Sequence, residues 1–410
     1  MAIYSGDIFA ENYTVSSSVT NVQIAAASGS MKFGDSSDDT HQFTGSLFIS
    51  GSRISIDDGK KNTSFGSLAG SAITTGVFNT LIGYESGISG STTNANTFIG
   101  ARAGAAADAG GTAAASNVYV GYAGGQFLDD GAMNVALGYK ALQGAEADGN
   151  EGEKNVALGW ETLKLITDGD HNIAIGAGAG DAITTTGNTV FIGGYAGSAI
   201  STTGQYTIGI GYGAVGGSEI GDGNIAIGYQ SMQNANAAGF HRNTAIGYQT
   251  MANVGSNSAT DNVALGHKAL EDITSADHNI AIGSNSLAGT TSGGYNVAIG
   301  TNSMFTLTDG VRNVAIGAYA MAMNQGTTAD SSFDNVFIGY NSGGGSWAAA
   351  ESNYNVAIGN YTMDAALNGA LYNVGIGHTA LTALTSGDNN TAIGYRALYA
   401  ATTGGSNLAV

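Results

Sequence analysis

The sequence predicts an all-β chain, a parallel β-solenoid or β-roll of about 20 coils of about 17 residues each. Three observations point there. A five-residue phrase, Asn-x-x-(Ile/Leu/Val/Phe)-Gly, returns about twenty times between Asn62 and the C-terminus, its glycines running from Gly66 through Gly138 and Gly266 to Gly394. Ten of the eighteen intervals between those glycines are 17 residues and the other eight are 18 to 22. Helical repeats need about 33 residues or more for two helices and a turn, so a period this short fits one coil of a stacked β structure. Pro is absent from all 410 residues, which suits a fold where every coil lends backbone N–H groups to a neighbour.

Composition narrows the class further. Gly accounts for 66 residues and only 10% are charged, which alone suits disorder, yet 43% are hydrophobic and the period is strict. There is no Cys, hence no disulfide framework and no thiolate metal site. The formal charge of −19 argues against binding a nucleic-acid backbone and favours solubility through self-repulsion. No run is long and apolar enough for a membrane span, and MAIYSGDIFAENYTV lacks a basic n-region and an apolar h-region, so neither membrane insertion nor a signal peptide is expected.

The elements follow in chain order. Residues 1–61 lack the phrase. Short alternating pieces such as Val19 to Ile24 suggest a small N-terminal β segment. Residues 62–410 form the solenoid. In Asn262-Val263-Ala264-Leu265-Gly266, the period-two alternation of a strand sets Val263 and Leu265 on one face and Ala264 on the other. Both faces are apolar, so both need cover. The reading taken is that the large residues fill the coil and the alanines meet a partner chain; the reverse also calls for a partner.

Each Gly is expected at positive φ, turning a corner. Three residues on stands a small residue, and one further either Gly (Gly104, Gly125, Gly343) or a large apolar one (Leu142, Met232, Leu270). An apolar residue seven after the Gly (Ile166, Ile183, Ile273) marks a second short strand before the turn that closes the coil. Asn is read as opening every phrase except the one at Gln205. Stacked at about 4.8 Å, Asn134, Asn155, Asn172, Asn224, Asn243, Asn262, Asn279, Asn296, Asn313, Asn335, Asn355, Asn373 and Asn390 would form a hydrogen-bonded structural ladder. Nineteen intervals at that spacing make roughly 90 Å.

The phrases NVAIG, NIAIG and NTAIG, followed by a small residue and then Leu or Met, resemble the head repeats of trimeric autotransporter adhesins. Similar AIGY-x-AL repeats occur in bacteriophage tail-fibre-like proteins. The resemblance covers about 62–410. It implies three chains side by side as a homotrimer, with adhesion or host recognition as the role. The adhesin repeat is shorter than the one here, and that family's secretion signal and membrane anchor are not seen, which favours the phage-fibre side. On that analogy 1–61 would attach to a virion or baseplate, the far partner would be a host-surface glycan or protein, and the location would be the virion. A fragment of a bacterial surface adhesin (extracellular, cell surface) and an ice-binding solenoid are the alternatives. For ice binding, the Thr residues Thr74, Thr184 and Thr202 drift in register instead of forming a column.

Candidate sites are few, and neither a catalytic residue nor a cofactor is expected. The position after the Gly is often aromatic, giving one edge a stripe that includes Tyr122, Tyr139, Trp160, Tyr229, Tyr248, Tyr340 and Tyr395. The stripe reads either as a sugar-stacking platform or as aromatic stacking between coils or chains, with structure preferred because it runs from end to end. Asp170, Asp222, Asp277 and Asp388, each two residues before the phrase Asn, read as turn caps in preference to a Ca²⁺ site. Longer intervals must bulge, at 105–116, 143–154, 322–334 and 344–354. Glu146, Asp148, Glu151 and Glu153 in one bulge read as a solvated acidic loop in preference to a hydrolytic pair. The six His residues fall at scattered registers and suggest no cluster.

Overall fold

The computed structural model describes residues 60–107, 115–146, 150–254, 258–322, 331–347 and 350–410. Residues 1–59, with nearly all of the expected N-terminal segment, lie outside the described residues. Among those described, twenty strands from β1 (Thr63–Phe65) to β20 (Leu408–Ala409) form one sheet. Every strand between these two pairs in parallel with the strands one coil before and one coil after it, and the two end strands have one neighbour each. Register is constant: Val263, Ala264 and Leu265 lie opposite Ile280, Ala281 and Ile282. The 22-residue interval keeps it too, with Val314 opposite Val336. This is a parallel β-solenoid with one three-residue strand per coil. Among the described residues, the second short strand expected around the apolar residue seven after the Gly does not form. Ile166, Ile183 and Ile273 are fully buried but sit outside any strand.

One expectation is reversed. The alanines of the strands, among them Ala136, Ala157, Ala264 and Ala298, point into the coil and are completely buried, while their large neighbours face outward, Leu137 at 51% exposure and Val263 at 40%. The reason is volume inside a thin coil. In most coils whose strand centre is Ala, the residue four after the Gly is large and buried, as with Ala136 and Leu142, Ala226 and Met232, or Ala264 and Leu270; Ala174, with Gly180 in that place, departs from this. Where the strand centre is a ring, that residue is Gly. A Cβ on Gly104 would lie 2.5 Å from Phe98, on Gly125 2.2 Å from Tyr119, and on Gly343 2.4 Å from Phe337. Two walls share one space and exchange bulk, as close packing demands.

The phrase Asn holds three coils together. Asn279 donates its backbone N–H to Asn262 Oδ1 at 2.9 Å and its Nδ2 to Gly293 O, one coil on, at 2.9 Å. Its own Oδ1 accepts from Asn296 N at 2.9 Å and Asn296 Nδ2 at 3.1 Å. The same pattern runs from Asn243 to Asn407, and Asn134, Asn155 and Asn172 bond likewise through N and Nδ2. The ladder has two substitutes, not the single exception read at Gln205: Thr189 and Thr207 occupy the buried register. Thr189 still bonds to Asn172 Oδ1. The Thr207 hydroxyl has no partner, and Asn224 turns its Nδ2 to Gly221 and Phe240 carbonyls.

The corner glycine is required twice over. Gly266 has φ +140°, a region closed to side chains, and a Cβ there would stand 2.5 Å from the Gly283 carbonyl oxygen of the next coil. Three further corners per coil are left-handed even without Gly, for example Asp261 (φ 60°), Lys268 (55°) and Leu270 (50°). Such residues cost about 1–2 kcal/mol each. They let successive amides point up and down the stack: Lys268 N donates back to Tyr248 O, and Leu270 N forward to Ser286 O.

Candidate recognition surface

Because the strand centres go inside, most strands offer two aliphatic side chains outward, with Thr63, Thr80, Thr97, Thr244 and Thr391 taking one of the two places in five of them, and the strands together build a largely apolar face. Val118, Val135, Ile173, Val263 and Ile280 are among one column, Ile99, Leu137, Ile175, Leu265 and Ile316 among the other. Left-handed corners at either end of the strand set a further exposed column along each long edge. One is the residue after the Gly, which holds Tyr84, Tyr122, Tyr139, Trp160, Tyr212, Tyr229, Tyr248, His267, Tyr340, His378 and Tyr395. The other is the residue before the Asn, which holds Tyr206, Arg242, Asp261, His278, Tyr295, Arg312, Tyr354 and Tyr372. The second column was not singled out from sequence, although the Asn fixes its register.

Within each column the rings stack on their neighbours one coil away. Tyr122 and Tyr139 lie 5.5 Å apart at 12°, Tyr139 and Trp160 6.5 Å at 8°, and Tyr229 and Tyr248 5.1 Å at 13°. Tyr248 stacks on His267, and across the face His278 on Tyr295 and Tyr354 on Tyr372. Tyr340 packs edge-on to Tyr361, which stands one residue beyond the column position of the next coil, and His378 is tilted against Tyr395. In the parallel stacks the ring faces cover one another along the stack axis, so edges and hydroxyls are what the outside meets.

Charges reinforce the edges. Arg242 forks onto Asp261 at 2.7 and 2.8 Å and Arg312 onto Asp334 at 2.7 and 2.9 Å, each pair bridging one coil to the next. The hydrogen-bonded Arg242 guanidinium holds the Asp261 carboxyl below its ordinary range, and Arg312 does the same to Asp334. On the other edge the Tyr84 hydroxyl, with Arg102 behind it, lowers Glu85, and the carboxylate in turn raises the Tyr84 phenol.

The remaining residues have structural employment. Asp170, Asp222, Asp277 and Asp388 each accept a backbone N–H from the preceding coil, from Glu153, Gln205, Thr260 and Leu371 at 2.6 to 2.9 Å. Asp170 also lines an acidic groove of about 280 Å³ with Asp130, Glu151, Glu153 and Asp168; Asp148 lies outside the described residues. Among the described residues no group of three or more His, Cys, Asp or Glu is arranged to hold a metal ion. Thr74 and Thr184 spend their hydroxyls on Ser91 and Ser201 carbonyls of the next coil. Trp347, which sequence reading passed over, is buried edge-on against Phe337 with Nε1 donating to Gly343 O at 2.8 Å. Among the described residues no helix is long and apolar enough to cross a membrane. Compared with known proteins, the sequence matches no family model and no curated protein.

Proposed function

We propose that this chain is a structural fibre and adhesion protein, a phage-type tail fibre that carries host-surface recognition on a rigid homotrimeric β-solenoid. The observation that supports it is the apolar outer face. At about 4.8 Å per coil and about 3.3 Å per residue, the face over three-residue strands measures about 90 by 10 Å, or about 900 Å². A lone soluble chain rarely exposes more than about 300–600 Å² of contiguous apolar surface, and a stable partner covers about 800 Å². A surface of that length with a constant pitch is matched along its whole extent by the same pitch, so the partner is taken to be further copies of this chain.

Assembly takes the face and its stacked edges. Recognition falls to the side where the longer coils bulge, because loops on a rigid scaffold are where binding residues gather. Residues 1–61 are assigned to attachment on a virion or baseplate, and the far partner is a host-surface glycan or protein.

Light scattering should give three times the chain mass of 40.9 kDa. Ile175→Lys changes a side chain that is already outside the coil, so it should leave the fold intact and yield monomers. Shortening the 21-residue interval between Gly138 and Gly159 to 17 should leave the trimer and weaken adsorption of labelled protein to a bacterial panel. A monomeric wild type that adsorbs to no cell or glycan would overturn the reading.

A further inference from the structure

One bond recurs at the rungs of the ladder from Asn79 to Asn407: the backbone N–H of the phrase residue donates to the side-chain oxygen of the rung before. Asn172 N reaches Asn155 Oδ1 at 2.9 Å and Thr189 N reaches Asn172 Oδ1 at 3.1 Å. The series resumes where Asn243 N meets Asn224 Oδ1 at 3.0 Å. Between them the bond is missing at two successive rungs. Thr189 has no amide oxygen to offer, and among the described residues Thr207 N and Asn224 N find no acceptor. The Thr207 hydroxyl is unpaired as well. Thr207 and Asn224 are fully buried, so water does not stand in for the lost partners. The closing turn is slack at the same height. Residues 198–204 send no backbone N–H to the next coil, whereas the coil before gives Thr184 N to Ser201 O at 2.9 Å, and coils beyond give Thr274 N to Thr291 O and Thr291 N to Thr308 O at 3.0 Å. The Thr203 hydroxyl oxygen in that turn is buried without a partner. The strand between, β9 (Ile208–Ile210), carries Gly209 at its centre, and a Gly inside a strand weakens it.

We propose that the rod carries a built-in joint at 189–224, where the stack opens before the rungs on either side. An ordinary rung is fastened to the next both by the amide bridge and by strand pairing. At the joint the bridge is gone, while pairing continues unbroken, Val190 opposite Ile208 and Ile208 opposite Ile225. Register is therefore kept across the joint even as the turns on the far side of the coil come apart. A solenoid coil touches only its neighbours, so a weak rung is not averaged over the whole chain. It sets the height at which local opening begins. The inference does not depend on the oligomeric reading above, because a partner lying along the outer face would cover these rungs and their neighbours alike.

Hydrogen exchange read by mass spectrometry on the full chain tests it. Protection factors for peptides covering 205–225 should be at least about a hundredfold below those for 279–297, since each orphaned buried N–H is worth about tenfold to a hundredfold in a local opening equilibrium. The Thr189→Asn, Thr207→Asn double variant puts an amide oxygen opposite each orphaned N–H. It should raise protection at 205–225 at least about tenfold and leave 279–297 unchanged. Thr207→Val keeps the shape of Thr and removes the unpaired hydroxyl without supplying an acceptor, so its gain should fall short of the double variant's. Equal protection at 205–225 and 279–297 in the wild type overturns the joint, and that comparison needs no variant to fold. A folded double variant with no gain, or a Thr207→Val gain as large, overturns the missing amide bridge as its cause.

Discussion

Removing one Asn amide from the middle of the ladder should unfasten two coils without disturbing the rest of the stack. In Asn279→Ala the Asn296 backbone N–H loses its acceptor and the Gly293 carbonyl loses its donor. Asn279 and Asn296 are fully buried, so water does not replace either bond. The bond from Asn279 N to Asn262 Oδ1 is made by the backbone and survives. Two orphaned buried groups at about 1–3 kcal/mol each cost about 4 kcal/mol, or about three powers of ten in a local opening equilibrium. A solenoid does not unfold as one cooperative unit, so a melting midpoint would blur the effect. Hydrogen exchange read by mass spectrometry on peptides covering 279–297 is the suitable assay. Protection there should fall about a thousandfold, fading within a few coils. Asn302→Ala, which removes a partly buried amide contact with Asn285, should cost less than tenfold. Equal losses in the two variants would refute the claim that burial of the ladder sets its worth.

Three further outcomes follow from the geometry. Gly266→Ala forces a side chain to φ +140° with its Cβ 2.5 Å from a carbonyl oxygen, and should destabilise the coil by about 3 kcal/mol or more, seen as lost exchange protection on both sides. Ala264→Phe and Leu270→Gly should each cost about 2–4 kcal/mol alone, by overpacking and by a cavity, yet the pair should come within about 1 kcal/mol of wild type by chemical denaturation, because it rebuilds the arrangement of Phe337 and Gly343; additive losses would contradict the shared interior. Asp261 titrates below its usual range because Arg242 holds its charged form, so the pair's contribution is present above about pH 4 and disappears as pH falls through the depressed value. Protection factors of wild type and Asp261→Asn in the coil should therefore differ at pH 7 and converge in acid, and the difference at pH 7 should shrink with salt.

How much of this was legible beforehand depends on which residues repeat. The interval between glycines announced coil number and strand position, since a corner with φ near +130° admits only Gly and so leaves an unbroken mark. Asn was equally visible, because a buried amide bonding both neighbours has few substitutes; Thr189 and Thr207 were misread because Asn188 and Gln205 lie just before them and disguise the register. The direction of the strand was not legible from the strand alone. Val263-Ala264-Leu265 reads the same whether its alanine is sealed inside or pressed against a partner. What decides it is a correlation across six residues: Phe98 with Gly104, Tyr119 with Gly125 and Phe337 with Gly343, against Ala136 with Leu142 and Ala264 with Leu270. Gly or a large residue at the second position was noticed, but its dependence on the first was not. Trp347 escaped for a different reason, since it sits in a bulge that obeys no period.

That correlation also fixes where the chain is unfinished. Once the alanines are known to be satisfied by Leu, Met or glycine-seated rings, no partner is needed for them, and the demand for cover passes to Val263, Leu265 and their equivalents along the stack. A positively charged side chain substituted at an inward alanine should then destroy the coil itself, whereas the same charge at Ile175 or Leu265 should leave circular dichroism unchanged and alter only the mass in solution. Coil loss from Ile175→Lys, or a folded coil with Ala264→Lys, would reverse the assignment of inside and outside on which the proposed assembly depends.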